Sequence, residues 1–289
     1  MKLRSFLFVP GDSERKLARS LEAGADALIF DLEDAVAPER KAVARQMVSE
    51  FLRAHPQRPR AQLWVRINPL ESAAAQADLE AVIAARPDGI VQPKPRSPGD
   101  VSRLALRLDE LEAGHGLEAG RIRLLPVATE TPQALFAMGG FAACGPRLLG
   151  LTWGAEDLSS AIGASASREP DGRWTSPYQW VRSLCLFGAA AAGVAAIDTV
   201  YVAWRDHTGL RAECAEASRD GFVGKLAIHP DQVAIINEGF APSSAELAQA
   251  TRVVELFAAN PGAAALSLDG RMLDIPHLRQ AQRILARAR

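Results

Sequence analysis

Short apolar runs of Val, Ile, Leu and Phe recur along the chain and alternate with longer, Ala-rich stretches. Eight runs read as strands, at residues 3–9, 27–31, 63–67, 89–91, 122–127, 148–152, 199–203 and 224–228. None shows a long alternation of polar positions, and continuous apolar strands suit a parallel sheet covered on both faces. The stretches between them read as helices: residues 13–23, which follow a Pro-Gly turn and place Leu17 and Leu21 on one face, then 40–52, 73–85, 100–112, 132–141, 177–193 and 211–220. Strand–helix alternation repeated eight times is the signature of an α/β chain folded as a (β/α)8 barrel. An open doubly wound sheet uses the same elements, but eight units suit closure better. Beyond residue 228 the pattern changes. A helix from 244 to about 260, a turn-prone stretch ALSLDGRMLDIP and a last helix at 277–289 exceed what the final barrel unit needs. The expected division is a barrel at 1–228 and a C-terminal extension at 229–289, a lid able to fold over its own barrel mouth or a neighbour's.

Composition narrows the function classes. The 289 residues suit one large domain, or one domain with an appendage, and are 48% hydrophobic and 23% charged. With 33 basic against 34 acidic residues, there is no electrostatic reason to expect nucleic acid or an anionic membrane as partner. Cys144, Cys185 and Cys214 are an odd, scattered set, which argues against a disulfide framework or a thiolate zinc site and points to a reducing cytoplasm. The run from Phe6 to Val9 is too short for a signal peptide core. The apolar stretch 184–197 is too short to span a bilayer and reads as a buried helix.

In a barrel the C-terminal strand ends build the active site, so the residues following each strand carry the chemistry. They are Arg15, Lys16 and Arg19 after the first; Asp31, Glu33 and Asp34 at the second; Arg66 and Asn68 at the third; Gln92 and Lys94 at the fourth. Thr129, Glu130 and Thr131 follow the fifth, Glu156 and Asp157 the sixth, and Lys225 and His229 mark the eighth. Crowded carboxylates need a cation. With no Cys or clustered His beside them, oxygen ligands suit Mg2+ or Mn2+. Glu130 and Asp157, from adjacent strand ends, are the natural metal pair, with Asp31, Glu33 and Asp34 placed to hold its waters. Arg66 at a strand end suits bidentate capture of a carboxylate. Plainer readings stand beside these. Asp31 and Asp34 also suit loop and helix caps, Glu156 a helix first turn, and Arg66 a structural ion pair. Lys94 between two prolines suits a stiff turn, His229 a loop, and Arg15, Lys16 and Arg19 a solvated helix face.

Taken in order, RSFLFVPG (4–11), DALIFDLEDAV (26–36), WVRIN (64–68), QPK (92–94), ATET (128–131), LTWGAEDL (151–158) and GFVGKLAIHP (221–230) resemble the citrate lyase β-subunit-like family, which includes malyl-CoA and citramalyl-CoA lyases. The resemblance spans nearly the whole chain. It implies a TIM barrel, commonly trimeric or hexameric, with Glu130 and Asp157 as magnesium ligands and Arg66 on the keto-acid carboxylate. Coenzyme A, as part of the substrate, would meet the helix after Pro-Gly and loops near the eighth strand. Arg19 matches a phosphate-contacting base there. Where relatives often carry a basic residue after Pro-Gly this chain has Asp12 and Ser13, with Arg15 as the nearby substitute. Lys94, Lys225 and His229 complete the expected coenzyme A and substrate contacts. In the stand-alone acyl-CoA lyases a C-terminal segment covers a neighbouring subunit's site and supplies a catalytic aspartate from G-x-M-[IL]-D. Here GRMLD ends in Asp274, and the tail is expected to favour a self-sufficient enzyme over a citrate lyase subunit.

The expected activity is Mg2+-dependent cleavage of a short β-hydroxyacyl-CoA into a 2-keto acid and acetyl-CoA, by a homo-oligomer. Its rivals are a class II aldolase acting on free 2-keto acids and a lyase subunit that needs an acyl-carrier partner.

Overall fold

The computed structural model describes residues 3–58 and 60–288. Eight strands form one parallel sheet: β1 (Ser5–Pro10), β2 (Ala27–Asp31), β3 (Gln62–Arg66), β4 (Gly89–Gln92), β5 (Arg123–Pro126), β6 (Gly150–Thr152), β7 (Ala195–Asp198) and β8 (Gly224–Ala227). Their order is β5-β4-β3-β2-β1-β8-β7-β6. β5 and β6 close the circle through parallel bridges at Leu124–Leu148 and Val127–Thr152. The Ala128 N–H donates to Thr152 O at 2.8 Å and the Leu149 N–H to Leu124 O at 2.9 Å. The expected (β/α)8 barrel is the fold. Around it lie α1 (Glu14–Ser20), α2 (Lys41–Ala54), α3 (Ala73–Val82), α4 (Pro98–Gly114), α5 (Pro132–Leu135), α6 (Glu156–Ile162), α7 (Ser176–Ala192), α8 (His207–Asp220) and α9 (Pro230–Gly239).

Side chains alternate between the two faces of a strand. Phe6, Ile29, Trp64, Val91, Leu125, Val127, Ile197 and Leu226 fill the barrel interior. Two residues beyond Ile29 and Trp64, on the same face, come Asp31 and Arg66, which are register partners across β2 and β3. The strand pattern thus delivers a carboxylate and a guanidinium side by side above the apolar plug.

Two expectations need correction. The seventh strand is Ala195–Asp198, not 199–203. Helix α7 stops at Ala192 because Gly193 adopts φ 68°, a left-handed conformation that ends helices, so the run 184–197 is a helix followed by a strand. The extension was also expected to begin at 229, whereas the compact barrel unit runs from Leu3 to Gly239 and includes α9.

The second unit starts at Phe240. It holds α10 (Ser244–Ala259), the antiparallel hairpin β9 (Ala265–Leu268) and β10 (Arg271–Asp274), and α11 (Ile275–Ala288). Ala250, Val253, Phe257, Leu273 and Ala281 form its core. Ser243 and Glu246 make a reciprocal capping box on α10. The stretch read as turn-prone is this hairpin. Asp269 and Gly270, at φ 50° and 77°, supply the two left-handed residues that a type I′ turn requires.

Candidate active site

The mouth of the barrel gathers carboxylates around two cations. Asp31 accepts Nε and Nη2 of Arg66 at 2.7 and 2.6 Å, and also the N–H groups of Glu33 and Ala35 at 2.9 and 3.1 Å. Asp31 is therefore both a loop cap and an arginine anchor. Glu33 Oε2 stands 2.9 Å from Arg66 Nη1, as an ion pair outside hydrogen-bond geometry. Two of the five guanidinium donors are spent on Asp31, leaving three for other acceptors. Phe8 lies beneath, 4.7 Å from the Arg66 Cζ, a cation–π contact that fixes the guanidinium plane. Burial pulls the Arg66 pKa down, but the carboxylates of Asp31, Glu33 and Glu130 outweigh it and hold the group charged.

Lys94 sits at the other side of the cluster. Its Nζ donates to Glu33 Oε1 at 2.5 Å and Asp34 Oδ2 at 3.0 Å and lies 3.3 Å from Asp157 Oδ1. Its ammonium is thus paired with three carboxylates of the cluster. Its φ is 50°, a left-handed conformation costing roughly 1–2 kcal/mol in a residue with a Cβ. That conformation is held from three sides. Pro93 and Pro95 flank it, its N–H donates to Glu130 Oε2 at 2.6 Å, and the Thr131 hydroxyl donates to Pro95 O at 2.7 Å.

Glu130 is 6% exposed. Burial and then the like charges of Asp157 and Glu33 push its carboxyl well above the usual range, while the Lys94 N–H and Arg66 pull the other way. Gly154 makes the close packing possible. A Cβ there would stand 2.7 Å from Glu130 Cγ and 3.1 Å from its Oε1. The Gly154 N–H donates to Thr129 Oγ1 at 3.1 Å. Asp157 lies in the first turn of α6, with its side chain 33% exposed, while Glu156, which opens the helix, faces solvent. Among the described residues, no three His, Cys, Asp or Glu side chains converge as a metal cage. A divalent ion here would draw on Glu130 and Asp157, the one or two carboxylates that Mg2+ takes when waters and substrate complete its octahedron.

The remaining expected contacts are spread more widely. Arg15, Lys16 and Arg19 are exposed on α1. His229 follows β8 and stacks on Trp204, with ring centroids 4.1 Å apart. The Arg205 Cζ lies 4.1 Å over the same indole. Trp204 was not singled out from the sequence; its position after β7 became visible only once that strand was correctly placed.

Lys225 is a correction. It is the neighbour of Leu226, which points into the barrel, so it points outward toward the helices. It is 0% exposed, and its Nζ donates to Glu213 Oε1 at 2.7 Å and Asp198 Oδ2 at 3.0 Å. Asp198 also accepts the Trp153 indole N–H at 2.7 Å. Lys225 is part of a buried ion network and cannot meet a substrate.

Asp274 ends β10 in the second unit, with its side chain 39% exposed and its Oδ1 2.5 Å from His277 Nδ1. The hydrogen bond from His277 holds the Asp274 carboxyl below the usual range. Sequence reading missed His277, although three residues after a helix-opening Asp is a capping position.

A rigid arginine ready for a carboxylate, beside paired oxygen ligands at an open barrel mouth, meets the requirements of a carbon–carbon lyase, and that is the class this chain falls in. Residues 4–230 match the model for the HpcH/HpaI aldolase/citrate lyase family, and the chain belongs to that family. It is 36% identical over 292 residues to citrate lyase subunit beta of Haemophilus influenzae, covering 100% of this chain and 98% of that protein. It is likewise 36% identical over 287 residues to (3S)-malyl-CoA thioesterase of Cereibacter sphaeroides, covering 99% and 94%. Among solved structures, protein CitE of Mycobacterium tuberculosis, in complex with magnesium, acetoacetate and coenzyme A, superposes with a TM-score of 0.77 at 34% identity over 99% of this chain and 97% of that one. The Haemophilus subunit matches along the whole chain, tail included, so the tail's presence does not separate a stand-alone enzyme from a citrate lyase subunit.

Proposed function

We propose that the protein is an Mg2+-dependent carbon–carbon lyase that cleaves a short β-hydroxyacyl-CoA, of malyl-CoA or citramalyl-CoA type, into a 2-keto acid and acetyl-CoA. The observation that carries this reading is the convergence of buried Glu130 and half-exposed Asp157 beside an Arg66 already fixed by Asp31. The complex of its structural relative with magnesium and coenzyme A supports it.

Glu130 and Asp157 would hold Mg2+, or Mn2+, which would supply Lewis-acid stabilisation of the oxygen charge that develops as the bond breaks. Arg66 grips the carboxylate of the keto-acid portion with the donors that Asp31 leaves free. Glu33 and Asp34 accept from waters at the mouth. Asp274 moves the proton at the acetyl carbon. Its carboxylate, held ionised by His277, removes that proton in the condensing direction and returns it in cleavage. Arg15 and Arg19 meet the phosphates of coenzyme A, and the Trp204–His229 stack offers a flat face to its base. Delivery of Asp274 to a neighbour's site would require a homo-oligomer, a trimer or hexamer if it follows the family resemblance, and the three buried free cysteines suit a reducing cytoplasm.

A second reading, thioester hydrolysis, is favoured by the likeness to a malyl-CoA thioesterase. The purified protein should turn over malyl-CoA or citramalyl-CoA with Mg2+, lose that turnover in EDTA, and lose both metal binding and turnover in Glu130→Gln. Undiminished turnover in EDTA would sink the metal-dependent reading.

A further inference from the structure

Five carboxylates crowd the barrel mouth, from Asp31, Glu33, Asp34, Glu130 and Asp157, against two cations, Arg66 and Lys94. The two cations divide the work. Arg66 serves Asp31 and Glu33. Lys94 serves Glu33, Asp34 and Asp157. Glu130 alone among the five has no side-chain cation within ion-pair distance among the described residues; it receives the Lys94 backbone N–H instead. A divalent ion shared by Glu130 and Asp157 would therefore share the Asp157 charge with Lys94 and sit beside a tethered ammonium.

We propose that Lys94 is a positioning residue that sets the divalent-metal affinity of this site, its side chain competing with the metal for Asp157 while its backbone N–H orients Glu130. The inference rests on the assignment of Glu130 and Asp157 as the metal pair. The left-handed backbone at Lys94 places both functions on one residue. The N–H reaches Glu130 while the side chain spans the cluster to Asp34 and Asp157. Competition of this kind keeps binding of the bare ion weak. Oxygen donors of the substrate would then be needed to complete the coordination, which would couple metal binding to substrate binding.

The test is titration of the purified full chain with Mg2+ alone by isothermal calorimetry. Removing one unit charge about 5 Å from a doubly charged ion in a wet mouth should tighten binding about tenfold. Lys94→Met is therefore expected to bind Mg2+ about tenfold more tightly than the parent, and Lys94→Arg, which keeps the charge, within about twofold of it. Lys94→Gln carries the same expectation as Lys94→Met should the latter not fold. Turnover adds a second readout: in Lys94→Gln the Mg2+ concentration giving half-maximal rate falls while kcat also falls. Unchanged or weaker Mg2+ binding in Lys94→Met and Lys94→Gln would overturn the proposal. Glu130→Gln separates the two levels. If it retains Mg2+ binding, the metal assignment itself falls; if it abolishes binding while the Lys94 variants do not tighten it, only the role of Lys94 falls.

Discussion

Asp31 holds Arg66 through both carboxylate oxygens, so the guanidinium is orientated before a ligand arrives. A lysine cannot reproduce that fork, because its three donors sit on one flexible atom. Arg66→Lys is expected to lower kcat/KM by about a hundredfold or more, with Mg2+ affinity changed less than about threefold. Steady-state kinetics beside a Mg2+ titration checks both. A small loss of kcat/KM would return Arg66 to a purely structural ion pair. At this scale the sequence was legible wherever strand parity decides. Asp31 and Arg66 lie two positions past interior residues, and the structure brings them together at the strand ends. Lys225 lies one position from Leu226, and that single step turns it from the mouth to the helices. The left-handed conformation of Lys94 was not legible, because it depends on Glu130 and Thr131, more than thirty residues away.

Individual elements are tied to the barrel by buried ion pairs that composition does not reveal. On α4, Glu112 is fully buried. It accepts Arg147 Nη1 at 2.9 Å and the N–H groups of Ile122 and Gly120 at 2.8 and 2.9 Å. Burial pushes its carboxyl up, but Arg147 and the two N–H donors together bring it below the usual range. A carboxylate depressed in the folded state adds stability above its unfolded pKa, because the unfolded chain then binds more protons as pH falls. That stability is lost as pH drops from the ordinary carboxylate value toward the folded one. Glu112→Gln should cost about 1–3 kcal/mol near neutral pH and flatten the fall of stability below about pH 5, as read by urea denaturation across that range. An acid limb as steep as the parent's would contradict the assignment.

Element recognition failed for related reasons. Ala195–Asp198 carries little strand propensity and runs on from an alanine-rich helix, so TVYVA drew the assignment. Gly193 was the available signal. The Asp269–Gly270 pair likewise announced a hairpin, but its short strands are half exposed and lack a continuous apolar pattern.

For the whole molecule, closure of eight strands was legible because every unit repeats the same alternation. The proposed activity assigns Asp274, on β10 of the second unit, the proton at the acetyl carbon. The relatives include both a lyase subunit and a thioesterase, so the decisive question is which bond breaks. The direct measurement is identification by mass spectrometry of every product formed from malyl-CoA and from citramalyl-CoA with Mg2+ present. The proposed cleavage predicts acetyl-CoA with glyoxylate or pyruvate in equal amounts, and neither when EDTA is added. Free coenzyme A with intact malate or citramalate, and no acetyl-CoA at any time point, would contradict it.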